Sequence, residues 1–349
     1  MSAIDEKPLS TRLVEPAGPL SEVVLTMLAE PAAGSSRLWA AETLSQFSGA
    51  VPEPLEDRDL QLALYLCYEL HYRGFPGIDP EWEWNPDLIA ARAVLEDRFG
   101  AALARAVPPL PAVDPGRVGD LLFQLEAEDE GPSLSRYVET SADLDQFREF
   151  VVQRSLYQLK EADPHSWAIP RLRGPAKTAL LEVQHDEYGG GRAERMHSTL
   201  FAKTMRALGL DDAENAYLDQ IPGPTLAAVN LLSFFGLRRR WRGALVGHLA
   251  MFEMTSARPN RRYGNGLRRL GFDREATDFY DEHVEADAVH ENIAAYDLAG
   301  GLARAEPELA ADVIFGARAL LELEDRFARH LLSAWEAGES SLRSPLSGV

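Results

Sequence analysis

Cysteine is nearly absent: Cys67 is the one thiol in 349 residues. A lone cysteine forms no intrachain disulfide and builds no cysteine-based zinc or iron–sulfur site. That usage fits a reducing, cytoplasmic location. Basic residues are also short, with 35 Lys and Arg against 55 Asp and Glu and a net charge of −20. The balance argues against nucleic acid as a partner, because neutralising phosphates takes clustered cations. It argues equally against an anionic membrane surface. No apolar run reaches the length of a membrane span. The best, Thr225 to Phe235, is too short and contains Asn230. The first 21 residues carry Asp5, Glu6 and Glu15 and no apolar segment, so no secretory leader is expected. Strand signals are missing too, since no segment sustains period-two alternation with β-branched enrichment.

What remains is helix. Apolar residues make up 46% of the chain, enough for a substantial core. In residues 57–72, Leu60, Ala63, Leu64, Cys67 and Leu70 form one helical stripe. Pro108, Pro109, Pro111 and Pro115 make the clearest break. Beyond about residue 141 the pattern is helical almost throughout. It predicts helices near 143–162, 174–188, 192–208, 213–218, 225–235, 239–255, 260–270, 274–298 and 306–337. The expected fold class is all-α. An N-terminal helical region over 1–135, with a capping or dimerisation role, precedes a bundle over 136–337 and a flexible tail over 338–349. A basic cluster, Arg238 to Arg242 with Arg261, Arg262, Arg268 and Arg269, reads as a rim that pairs with the acidic excess.

One stretch departs from this pattern. Between Phe279 and Glu291, the residues His283, Asp287 and His290 stand at i, i+4 and i+7 and so share a helix face. Extending that face reaches Ala276 and Phe279 upstream and Ala294 and Leu298 downstream, all core residue types. Asp281, Glu282, Glu285 and Glu291 take the other faces. Two imidazoles and a carboxylate in a buried stripe are costly unless satisfied, and a metal ion satisfies them.

A second dense stretch lies between Leu181 and Phe201. Glu187 and His197 are ten residues apart, which on one continuous helix leaves them within about 80° of each other. The triple glycine between them, Gly189 to Gly191, points to a kink or break. His197 precedes Leu200 and Phe201 on an inward face. Glu194 rivals Glu187 on spacing alone, because Glu194-Arg-Met-His197 matches the common Glu-x-x-His di-iron motif and Asp287-Ala-Val-His290 is an Asp variant of it. Glu161 closes the preceding helix. Two imidazole-bearing helices with several carboxylates between them suit a pair of iron or manganese ions better than a single zinc.

The order of these residues resembles that of the haem-oxygenase-like di-iron oxidases and oxygenases, a family of iron-containing redox enzymes. The resemblance is carried by Asp186-Glu187-Tyr-Gly189, by His197 ten residues beyond Glu187, and by His283-x-x-x-Asp287-x-x-His290. It implies a haem-oxygenase-like helical bundle and a metal-ligand set of Glu161, Glu187, His197, His283, Asp287 and His290. A further carboxylate used by some members falls at Glu253. The resemblance also implies an enzyme that binds two Fe ions, with Mn as the alternative, and takes O2 as co-substrate. The implied reactions on a small amino-acid- or fatty-acid-like molecule are N-oxygenation, desaturation and C–C cleavage. A homodimer is the expected assembly. The rival reading is a haem-oxygenase-like binding or interaction protein without redox metal chemistry.

Overall fold

Helix is the only regular structure among the described residues of the computed structural model, which are 13–34, 38–110 and 112–346, with backbone alone at 285–289. The chain runs through α1 (Pro19–Leu28), α2 (Leu38–Ser48), α3 (Arg58–Glu69), α4 (Pro86–Ala106), α5 (Val118–Ala127), α6 (Leu134–Thr140), α7 (Leu144–Gln158) and α8 (Asp163–Ser166). It continues through α9 (Gly174–Glu187), α10 (His197–Ala207), α11 (Gly223–Gly236), α12 (Arg242–Arg269), α13 (Arg274–Asn292), a π-helical segment (Ile293–Ala299), α14 (Gly300–Ala305) and α15 (Ala310–Glu336). The all-α expectation is met.

The helices start where the side chains demand it. Asp57, Asn85, Asp143 and Asp273 each accept a hydrogen bond from a backbone N–H in the first turn of α3, α4, α7 and α13. α11 is apolar on nearly every face and sits at the centre, with Leu226, Ala227, Leu231 and Phe235 fully buried. α12 and α15 touch backbone to backbone. A β-carbon at Gly247 would lie 1.8 Å from the Val313 carbonyl oxygen, and one at Gly316 would lie 1.9 Å from that of Ala244. Only glycine permits so close a crossing.

The boundaries depart from the sequence reading in several places. α7 stops at Gln158 rather than 162, because Ala162 turns into the left-handed region at φ 73. α10 begins at His197 and not at 192, since the glycine turn must unwind first. The expected helix at 213–218 is turns, with Asn215 at φ 62 breaking the run. The two helices expected at 239–255 and 260–270 are one, α12, which continues through Pro259. Packing of both halves against α13 and α15 outweighs the lost N–H at that proline. The helix over 274–298 becomes π-helical from Ile293. α6, α8 and α14 fall where no helix is expected, and α15 begins at Ala310 rather than 306.

Val14 is buried in the lead-in, whose residues 1–12 lie outside the described ones. In the segment expected as a flexible tail, Ser341 is buried and donates from its backbone N–H and hydroxyl to Glu149 Oε2, at 2.8 and 2.7 Å. No helix among the described residues is long and apolar enough to cross a membrane.

Candidate metal centre

Five helices, α7, α9, α10, α12 and α13, bring the polar residues inward. Glu161 lies just past the end of α7, where the left-handed turn at Ala162 points the chain back toward α8. Glu187 is the last residue of α9 and His197 the first of α10. Between them Gly189, Gly190 and Gly191 take φ of 68, 60 and 80. Glycine is required at Gly189 for a second reason: a β-carbon there would stand 2.6 Å from the Arg195 carbonyl carbon and the Met196 nitrogen. Glu253 projects from α12, while His283 and His290 sit two turns apart on α13.

These residues form two groups. Glu161, His197 and His283 each present a ligand atom within 4.8 Å of the others, and Glu187, Glu253 and His290 do the same. All six are buried. In the first group His283 Nε2 lies 3.5 Å from Glu161 Oε1, and His197 Nδ1 lies 4.0 Å from Glu161 Oε2. The His283 Nδ1 is 2.8 Å from the Phe279 carbonyl oxygen, so it donates there and leaves Nε2 facing the carboxylate. In the second group His290 Nδ1 is 3.2 Å from Glu253 Oε2. His197 Nδ1 and Glu187 Oε2, 3.1 Å apart, join the groups. The His197 and His283 rings stack obliquely at 4.2 Å, against Phe279.

The electrostatics are those of a site short of positive charge. Burial pushes the Glu161 carboxyl up, and the neighbouring His283 only partly offsets this. Burial likewise raises Glu253, with the hydrogen bond from His290 opposing it. Burial lowers His290, but its bonds to Glu253 and Asp186 outweigh that and hold it at about 9. Three carboxylates and three imidazoles, all nitrogen and oxygen donors in a dry setting, can hold hard or borderline cations such as iron or manganese.

The structure gathers six of the seven expected ligand residues, Glu253 among them. The seventh, Asp287, has its side chain outside the described residues. Glu194 is exposed in the turn before α10, and His185 is exposed too. Tyr188 faces away, donating to Asp163 Oδ1 at 2.8 Å. Tyr280 is buried against Phe147 and Tyr263. His71 packs in the N-terminal region with Arg92 and Trp84.

Two neighbours of the site, Tyr157 and Gln158, escaped the sequence reading, and Asp186, which belongs to the motif Asp186-Glu187-Tyr-Gly189, was given no role of its own there. Asp186 Oδ2 lies 3.0 Å from His290 Nε2. Tyr157 is buried, and its phenol is pushed far up by burial and then by the charges of Glu161, Glu187 and Glu253. Gln158, its amide oriented by the hydrogen-bond network, donates to Glu161 Oε1 at 2.6 Å and Oε2 at 3.3 Å. The available signal was proximity along the chain, since Tyr157 and Gln158 stand only four and three residues before Glu161.

The chain is similar in sequence to known proteins. A nitrosourea synthase from Streptomyces achromogenes subsp. streptozoticus is 28% identical over 182 residues, which is 51% of this chain and 39% of that protein. The chain thus matches about two-fifths of that relative's length. The family profile described as iron-containing redox enzyme matches residues 148–325, which take in Glu161, Glu187, His197, Glu253, His283 and His290. With that match spanning just over half of its length, the chain belongs to the iron-containing redox enzyme family.

Proposed function

We propose that the chain is a non-haem di-iron oxidase or oxygenase that acts on a small organic substrate with O2 as co-substrate. The observation that carries this reading is the pair of adjoining, buried three-residue ligand groups. The donors fit the ions. Glu161, His197 and His283 would hold one, and Glu187, Glu253 and His290 the other, with Asp287 added from α13. Burial disfavours the ionised forms of Glu161 and Glu253, and a bound cation would restore them. Bound iron supplies the electrons that activate O2 and the oxidising power applied to the substrate.

The protein's own part is positional. The Phe279 carbonyl fixes the His283 ring, Gln158 holds the Glu161 carboxylate, and the glycine turn sets Glu187 against His197. Burial of all six residues keeps water out. Among N-oxygenation, desaturation and C–C cleavage, the relative's name favours the first, since a nitrosourea carries an oxidised nitrogen.

Residues 1–135 would form the helical cap on the 136–337 bundle. α2 exposes Leu38, Trp39 and Phe47, an apolar face suited to a homodimer. Light scattering on the purified chain tests that assembly. The metal reading is tested by anaerobic loading with iron or manganese, followed by metal analysis and oxygen uptake. The expected result is about two irons per chain and oxygen consumption, as a dinuclear site demands. A folded chain that retains only trace metal would refute it.

A further inference from the structure

Glu161 and Glu187 belong to different ligand groups, and both sit at helix ends, one just past α7 and the other at the last position of α9. Helix ends fray unless something holds them. The turn after Glu161 is also strained. Ala162 takes φ 73, a region that costs a residue with a β-carbon about 1–2 kcal/mol. Such strain persists only where the surroundings fix it.

The contacts that fix it come from two directions. From α9, Gln184 Nε2 donates to the Ala162 carbonyl oxygen at 3.0 Å and to Ser166 Oγ at 2.7 Å. Tyr188, the residue after Glu187, donates its hydroxyl to Asp163 Oδ1 at 2.8 Å, and Ser166 Oγ lies 2.9 Å from that hydroxyl. From the N-terminal region, Arg73 donates to Asp163 Oδ2 at 2.8 Å, and Glu69 of α3 pairs with the buried Lys160. The residues on either side of Glu161 and Ala162 are thus both held from outside the turn.

Asp163 is the junction, with one oxygen toward the end of α9 and the other toward Arg73. The two arms differ in weight. The Arg73 side chain is 41% exposed, and an ion pair so placed contributes little. A hydrogen bond to a carboxylate contributes about 1.5–3 kcal/mol, so the Tyr188 arm dominates. We propose that Asp163 and Tyr188 are positioning residues of the metal centre. Their hydrogen bond ties the turn that carries Glu161 to the helix end that carries Glu187, and so sets the distance between the two ligand groups. This rests on the dinuclear reading above.

The test loads the full chain with Mn(II) and reads it by electron paramagnetic resonance. Two Mn(II) ions held about 3.5–4 Å apart, as in dinuclear sites, couple and lose the signal of isolated ions. The wild type gives the coupled signal at about two ions per chain. D163A and Y188F, brought to the same manganese content, lose it in favour of isolated-ion signals. Their manganese affinity falls about tenfold or more, as when a residue that holds a ligand is removed. D163N keeps an acceptor for the Tyr188 hydroxyl and retains the coupled signal. D325A, which severs the exposed Asp325–Arg329 pair on α15, changes nothing. Circular dichroism confirms that each variant is folded, and Y188F carries the test if D163A does not fold. A merely structural role would lower the urea midpoint and leave the coupling as it is. Coupling unchanged in Y188F, or a D163N signal no better than that of D163A, overturns the positioning role alone. A wild type that takes up no manganese, or takes it up without coupling, overturns the dinuclear reading and the spacing role with it.

Discussion

His197 Nδ1 lies 3.1 Å from Glu187 Oε2, and through this contact the two ligand groups become one site. The two residues end one helix and begin the next, across three consecutive glycines in the left-handed region. The turn, not a shared helix face, is what brings them together.

Gly189→Ala should therefore damage the site more than Gly191→Ala. Both variants pay about 1–2 kcal/mol for a left-handed alanine. Gly189→Ala also drives its β-carbon into the backbone at Arg195 and Met196, while nothing lies within 4 Å of the β-carbon at Gly191. Urea denaturation and iron analysis should show a larger loss of stability and of bound iron for Gly189→Ala. Equal iron content in the two would show that the turn does not set the ligand pair.

His283 and His290 belong to different groups, so His283→Ala and His290→Ala should each cut loading from two irons to about one. Oxygen uptake should fall with either. Metal analysis after anaerobic loading measures this, and undiminished loading in one variant would remove that histidine from the ligand set.

Metal should bind the folded chain alone and thus stabilise it. With free metal at about 100 times its dissociation constant, the gain is about 2.7 kcal/mol. A chelator should lower the melting temperature of the loaded chain and leave the apo chain unaffected.

His165 Nε2 and His248 Nδ1 are 3.1 Å apart and almost fully buried. Burial lowers His248 to about 3 and takes His165 well below its ordinary value, with His248 adding to the effect. In the unfolded chain both titrate near 6.5. As pH falls below about 6.5 the unfolded state takes up protons that the folded state refuses, so stability drops by up to about 1.4 kcal/mol per pH unit for each histidine. Above that pH they contribute no slope. The urea midpoint should decline less steeply on acidification in His248→Phe than in the wild type; parallel curves would contradict this.

Lys160, which precedes Glu161, is buried in an ion pair with Glu69 of α3, between the rings of Tyr65 and Tyr72. Removing one member leaves the other charged and dry, at a cost of about 3–5 kcal/mol. Glu69→Gln should thus lower both stability and iron retention. The double variant Glu69→Leu/Lys160→Met should recover much of the stability.

Several features were legible without coordinates because they are local. Helical periodicity announced the bundle, and His283 and His290 stood out because they interrupt an apolar stripe. The glycine run marked a break. What escaped depends on neighbours far along the chain. Pro259 falls in the gap expected between the helices at 239–255 and 260–270, yet packing on α13 and α15 carries α12 through it. Asp186 carries no sequence sign of meeting His290, 104 residues away. Gln158 reads as an ordinary polar helix residue until Glu161 is seen folded back beneath it.

From the chain alone come the residue types of the site and the helices that carry them, since periodicity and burial cost are properties of neighbours in sequence. The division into two groups, the bridge from His197 to Glu187, and the contact of Gln158 with Glu161 arise only in three dimensions. They depend on how five helices are rotated and spaced, and those rotations are set by packing between residues that sequence order keeps apart.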